Sequence, residues 1–316
     1  MEAILQWGLD CIRLIQSYAN PALTVCMRII TSLGSAPAYI VLLPLVYWCY
    51  DEKKGLRLGA AVLISAWLNI SLKFLFDQPR PFFAEYDPSL GMISERLGGF
   101  PSGHAQNSLV LWTIIASWGK KKRYLFAAAL VCLLVSFSRI YLGVHFPTDI
   151  LGGWILGGIV LCVYFLLGKR IAAALERGGF RPGVITVALA AFGMILYRPG
   201  EEALMPGGML LGMGTGYCLN RRFTGFGSSA VFGRTGIAKY LTLIGRFAMG
   251  MAGMILIFAA LEKIIPQTRR SGNYQLFYFL RFVLLSLWIS AGAPWFFRLL
   301  RLAGTETENS NSNDNN

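Results

Sequence analysis

Charge is scarce in this sequence. Asp, Glu, Lys and Arg make up 14% of its 316 residues, against 55% hydrophobic residues, whereas a soluble domain carries about a quarter charged residues. That deficit excludes a globular protein with a polar shell in water. Histidine is scarcer still: His104 and His145 are the two in the chain, too few for a zinc cluster of the usual kind. The six cysteines, Cys11, Cys26, Cys49, Cys132, Cys162 and Cys218, lie in or beside apolar runs without CxxC spacing. This argues against a disulfide framework and for packing roles. The first residues, MEAILQWGLDCIRLIQSY, lack a basic leader and a small-residue cleavage site. They read as an amphipathic helix on the membrane surface, not as a removed signal peptide.

What the chain does have is length in its apolar runs. A transmembrane helix takes about 20 mostly apolar residues, and such stretches fall near 22–50, 57–76, 105–118, 124–142, 150–167, 183–197, 203–219, 240–261 and 276–300. The expected fold is all-α: a polytopic membrane helix bundle of about nine transmembrane helices with an N-terminal amphipathic helix. The two short, Gly-rich stretches between 183 and 219 are the weakest, and a re-entrant pair is the alternative there. The organisation predicted is an interfacial helix over 1–19, a catalytic core over 20–170, further spans of unassigned role over 171–303 and a polar, disordered tail over 304–316.

The net charge of +13 sits in short clusters between apolar spans and forms no continuous basic domain, which argues against a nucleic-acid partner. Lys53, Lys54 and Arg57, then Lys120 to Arg123, then Lys169 and Arg170, then Arg221 and Arg222 fall on one side of the expected membrane, which should be cytoplasmic. Lys263, Arg269 and Arg270 count against that orientation. The loop 77–104 and the short one at 144–148 then face the other side.

Three segments at the mouths of spans carry chemistry. Lys73 lies at a helix end, and Arg80 follows Pro79 and precedes Pro81 where the helix has broken, so two cations converge at the membrane surface; snorkelling to headgroups is the plainer reading. In Pro101-Ser102-Gly103-His104, Gly103 permits close backbone approach and a helix N-terminus offers an anion site, beside a titratable imidazole. An ordinary N-cap at Ser102 remains open as an explanation. In the third segment, Arg139 offers a planar fork of donors, and Asp149 stands four residues after His145, close enough to hold a ring nitrogen. Asp149 also suits a helix N-terminus by its charge alone.

Taken in order, K-x6-RP over 73–81, PSGH over 101–104 and SR-x5-H-x3-D over 138–149 resemble the type-2 phosphatidic acid phosphatase superfamily without a departure. The resemblance spans roughly 57–167, about a third of the chain by span length. The stretch LGSAPAYIVLLPLVYWCYDEKKG is also similar to a subgroup that includes sphingosine-phosphate phosphatases and many bacterial homologues. The family resemblance implies that Lys73, Arg80 and Arg139 bind phosphate oxygens with Ser102 and the Gly103 amide. His145, oriented by Asp149, would attack phosphorus to form a phosphohistidine, and His104 would protonate the leaving group and then activate water. It implies no metal and no cofactor, and a lipid phosphate as substrate: phosphatidic acid, phosphatidylglycerol phosphate, a sphingoid phosphate or undecaprenyl diphosphate. The expected setting is a bacterial cell membrane with the site on the extracytoplasmic face.

Two alternatives stand beside hydrolysis: lipid-to-lipid phosphotransfer, and a transporter or scramblase without hydrolysis. Headgroup choice is expected in the loop 82–99, with Glu85, Asp87, Glu95 and Arg96. Arg198, Glu201 and Glu202 read as solvated loop charges. A homodimer is compatible with the sequence, but nothing in it calls for one.

Overall fold

Without water to satisfy the backbone, an apolar segment must pair its amides internally, and the helix does so within one segment. The computed structural model describes residues 2–83, 85–95, 97–197, 201–228, 236–264 and 273–303, and among these there are twelve α-helices and no strand. Arg96, Arg198, Arg269, Arg270 and the tail 304–316 lie outside the described residues. The chain divides into two units, Met1–Ile40 with Ile64–Leu167, and Val41–Leu63 with Gly168–Asn316.

The first unit holds α1 (Glu2–Gln16), α2 (Pro21–Ser32), the start of α3 (Ala36–Cys49), the later part of α4 (Glu52–Phe76), α5 (Gly103–Ser117), α6 (Lys122–Tyr141) and most of α7 (Pro147–Gly178). Helix α6 is its centre and packs against α5, α2 and α1. Helices α4 and α5 are joined by buried amides and hydroxyls. Asn69 Nδ2 donates to Gln106 Oε1 at 2.7 Å, Gln106 Nε2 donates to Ser65 Oγ at 2.8 Å, and Ser65 Oγ donates to Asn107 Oδ1 at 2.6 Å. In an apolar setting such bonds hold helices together where apolar burial against lipid gains little. The α1 helix buries Gly8, Leu9 and Ile12 against Leu90 and Phe146, and leaves Ile4, Trp7 and Leu14 exposed.

The second unit contains α8 (Phe180–Tyr197), α9 (Glu201–Leu219), α10 (Gly236–Ile264), α11 (Tyr274–Leu287) and α12 (Ala293–Leu299). The glycines of α9 sit at four-residue intervals against α11. A Cβ at Gly208 would meet Phe279 O at 2.9 Å, and one at Gly212 would meet Val283 O at 2.1 Å. The Gly-rich sequence is thus a close-packing stripe. At 18 and 19 residues, α8 and α9 run about 27 and 28 Å at 1.5 Å per residue, longer than the half-helices of a re-entrant pair. Glu201 and Glu202 form the first turn of α9, where carboxylates complement the helix dipole.

Six helices are long and apolar enough to cross a membrane among the described residues, or seven if the pair α2 and α3, bent by 43°, is one span. Three of the nine expected spans differ for physical reasons. The stretch 22–50 is broken at Leu33–Ser35, and α5 has 15 residues; α9 opens on its two glutamates. The stretch 276–300 is one 26-residue span in which a π-helical turn, Trp288–Gly292, joins α11 to α12.

Candidate active site

Every residue named from the three segments falls in the first unit, and Lys73, Arg80, Gly103, His104 and His145 line, with Glu95 among others, a cavity of about 410 Å³; Arg139 and Asp149 pair with the lining residues Glu95 and His145. That volume suits a phosphorylated headgroup. Lys73 is on the last turn of α4, which ends at Phe76, and Asp77 turns the chain outward with φ 42°. Lys73 Nζ donates to Gly98 O, and to Gly99 O at 3.0 Å. Arg80 Nε donates to Leu97 O at 2.6 Å and its Nη1 to Val144 O at 2.8 Å. Backbone carbonyls therefore fix both side chains in place.

The PSGH segment is pinned from two sides. Ser102 N donates to Asp149 O at 2.9 Å, and Asn69 Nδ2 donates to Pro101 O at 3.2 Å. A Cβ at Gly153 of α7 would meet Ser102 O at 2.6 Å, so a glycine there lets α7 close on this turn. Ser102 is the N-cap of α5, yet its hydroxyl makes no cap bond, which removes the ordinary N-cap explanation. Ser102 Oγ and Arg139 Nε are buried polar atoms with no hydrogen-bond partner among the described residues. Each is a donor that a phosphate oxygen can satisfy. Because α5 begins at Gly103, its first-turn amides have no carbonyl one turn earlier to bond.

The imidazole of His145 sits between two partners with fixed roles. Its Nδ1 is 3.0 Å from Asp149 Oδ2, and its Nε2 is 3.1 Å from Arg80 Nη1. A carboxylate accepts and a guanidinium only donates, so the proton is on Nδ1 and the lone pair on Nε2. Asp149 is itself held, by Phe146 N to Oδ2 at 2.9 Å and by Gln78 Nε2 to Oδ1 at 3.0 Å. Burial, with the charges of Arg80, Lys73, Arg139 and His104 added, pushes the His145 pKa well below its usual value; the ring is neutral at pH 7. Burial also lowers Arg80 to about 10, which leaves it a cation. The third cation, Arg139, is 1% exposed near the end of α6 and donates from Nη1 to Thr31 Oγ1 at 3.1 Å.

Three contributors were not legible as site residues. Glu95, expected only as a headgroup-loop charge, is ion-paired with Arg139 and lies 3.8 Å from Arg80 Nη2. Gln78 and Thr31 carry no signal in sequence, being ordinary polar residues until the fold brings them to Asp149 and Arg139. Glu85 and Asp87 are in the same loop as Glu95, but Asp87 pairs outward with Arg13 at 3.0 Å.

Comparison with known proteins identifies the family. Residues 54–172 match the PAP2 superfamily, and residues 203–305 match the transmembrane extension of PAP2 superfamily phosphatases. Phosphatidylglycerophosphatase B of Bacillus subtilis is 31% identical over 161 residues, 47% of this chain and 75% of that protein. The lipid A 4'-phosphatase of Porphyromonas gingivalis is 33% identical over 132 residues, 38% of this chain and 55% of the relative. Sphingosine-1-phosphate phosphatase 2 of Mus musculus is 27% identical over 147 residues, 44% of this chain and 40% of the relative. The match thus takes in three quarters of the first relative and about half or less of the other two. The chain belongs to the PAP2 superfamily and is an integral membrane lipid phosphatase of that type, a hydrolase of phosphoric esters that acts on lipid phosphates or diphosphates.

Proposed function

We propose that the chain hydrolyses a lipid phosphomonoester or diphosphate through a phosphohistidine on His145. The observation that carries this reading is the tautomer of His145: Asp149 holds Nδ1–H, and the Nε2 lone pair is turned toward the donors that receive phosphate. Lys73, Arg80, Arg139, Ser102 and the Gly103 amide take the phosphoryl oxygens and stabilise charge on them as the group transfers. Burial and the neighbouring cations disfavour the protonated form of His104, and the negative charge of a bound phosphate favours it; Nε2 then attacks phosphorus and the lipid oxygen leaves with the proton that His104 has taken up with the substrate. His104 then accepts a proton from water, the water oxygen attacks phosphorus, the P–N bond breaks, and inorganic phosphate departs. Three cations supply the stabilisation that a metal would give, so no metal or cofactor enters the scheme.

The substrates that fit are phosphatidic acid, phosphatidylglycerol phosphate, a sphingoid phosphate and undecaprenyl diphosphate. Their tails stay in the bilayer while the phosphate enters the cavity. The Lys and Arg clusters support a site on the extracytoplasmic face of a bacterial cell membrane. Purified protein given a panel of radiolabelled lipid phosphates should release inorganic phosphate, and rapid acid-free quenching should trap an acid-labile phosphoprotein; His145→Ala should abolish both. Phosphate release by His145→Ala at the wild-type rate would overturn the mechanism. Transfer of label to a second lipid with no free phosphate would replace hydrolysis by phosphotransfer.

A further inference from the structure

Glu95 places an anion of the chain itself where the substrate's phosphate is expected. Its two carboxylate oxygens face two different guanidinium groups, Oε1 paired with Arg139 and Oε2 at 3.8 Å from Arg80 Nη2. Bridging two guanidinium groups is what a phosphate does in such a site. The Glu95 side chain is 27% exposed, whereas those of Arg80 and Arg139 are 2% and 1% exposed. The carboxylate therefore caps the cations from the open side of the cavity.

The loop that carries Glu95 is clamped on either side of it. Arg28 Nη2 donates to Met92 O at 2.8 Å and Met92 N donates to Leu142 O at 3.1 Å. Beyond Glu95, Leu97 O accepts from Arg80 Nε, and Gly99 O accepts from Lys73 Nζ. A side-chain rotation at Glu95 can free the guanidinium groups while these backbone clamps stay made.

We propose that Glu95 is a specificity-determining residue, an internal competitor that holds Arg80 and Arg139 against the phosphodiester headgroups of the surrounding bilayer and yields to a phosphomonoester or diphosphate. The proposal rests on the lipid phosphatase reading above. A phosphodiester carries one negative charge, the same as the carboxylate it must displace, and the tethered carboxylate competes at an effective concentration on the order of millimolar or above. Exchange of one for the other gains little. A phosphomonoester carries about −1.5 to −2 at neutral pH and three acceptor oxygens, so it gains both charge and hydrogen bonds when it displaces Glu95. A cationic pocket at a membrane surface meets diester headgroups in large excess, and discrimination against them has to be built in.

The test uses the full chain in nonionic detergent micelles, with phosphatidic acid as substrate and phosphatidylglycerol as the singly charged diester. Wild-type turnover should be insensitive to a large excess of phosphatidylglycerol. Glu95→Gln should lower KM for phosphatidic acid about tenfold, the worth of roughly one charge-assisted hydrogen bond, and should make phosphatidylglycerol a competitive inhibitor. Equal inhibition of wild type and variant with unchanged KM would overturn the proposal, and so would a loss of kcat at constant KM, which would put Glu95 in the chemistry. If Glu95→Gln does not fold, Glu95→Asp, which keeps the charge one methylene shorter, should show the same changes at smaller size; the wild-type inhibition pattern and KM in Glu95→Asp would overturn it. Binding of a non-hydrolysable phosphonate analogue of phosphatidic acid, with and without phosphatidylglycerol, reads the same competition without turnover. A protein that hydrolyses no lipid phosphate, yet gains phosphatidylglycerol binding on Glu95→Gln, would sink the phosphatase reading and leave the selectivity standing.

Discussion

Asp149→Asn isolates the role of one charge. Asp149 Oδ2 accepts from Phe146 N at 2.9 Å and holds His145 Nδ1 at 3.0 Å, while Oδ1 accepts from Gln78 Nε2 at 3.0 Å. Asparagine has the same shape, and Gln78 can turn its own amide to face the new NH2 group, so each hydrogen bond can be re-formed. In the proposed mechanism, what is lost is the carboxylate charge that favours the Nδ1–H tautomer and stabilises the imidazole as it becomes cationic on attack. A charge-assisted hydrogen bond is worth about 1.5–3 kcal/mol, which in a barrier is roughly a 10- to 150-fold loss of kcat. If the asparagine NH2 turns instead toward Nδ1, the proton moves to Nε2, the lone pair is lost, and the fall approaches 10⁴-fold, the size of effect a wrong tautomer gives in a serine protease triad. KM should change little, because Asp149 does not touch the phosphate. Release of inorganic phosphate from phosphatidic acid in detergent micelles measures both parameters, with thermal unfolding as the control for folding. A kcat within twofold of wild type in a folded variant would refute the assignment of Asp149 to His145.

Three further outcomes follow from the same geometry. His145, whose pKa burial and the neighbouring cations lower well below the usual value, should stay neutral as pH falls through 6.5 and protonate only below it; ring-nitrogen NMR checks this, and an ordinary titration near 6.5 would refute it. Gly143 has φ +70°, and a Cβ there would stand 1.9 Å from Leu90 O; Gly143→Ala should destabilise the protein by more than ~2 kcal/mol from left-handed strain and the backbone clash. A lowered melting temperature in detergent reads this, and an unchanged one would contradict it. Activity should persist in excess EDTA, since Lys73, Arg80 and Arg139 supply the positive charge at the site; chelator-sensitive hydrolysis that a divalent cation restores would count against the mechanism.

The sequence by itself determined the class and the family. Charge scarcity and run length mark a membrane helix bundle, because backbone amides in lipid have to be paired within each segment. The ordered spacing of Lys73, Arg80, Ser102, His104, Arg139, His145 and Asp149 marks the family, because those residues lie within or beside three short segments, and local spacing can be read along a chain. Tertiary structure decided what depends on contacts across large separations. It broke the run at 22–50 into two helices bent by 43° and made the glycines of α9 a close-packing stripe. It brought Thr31 to Arg139, 108 residues away, and Gln78 to Asp149, 71 residues away. It also moved Glu95 from a surface loop into the cation pair. None of these residues has a local signature, since a polar side chain acquires its partner only when separate helix ends converge on one point.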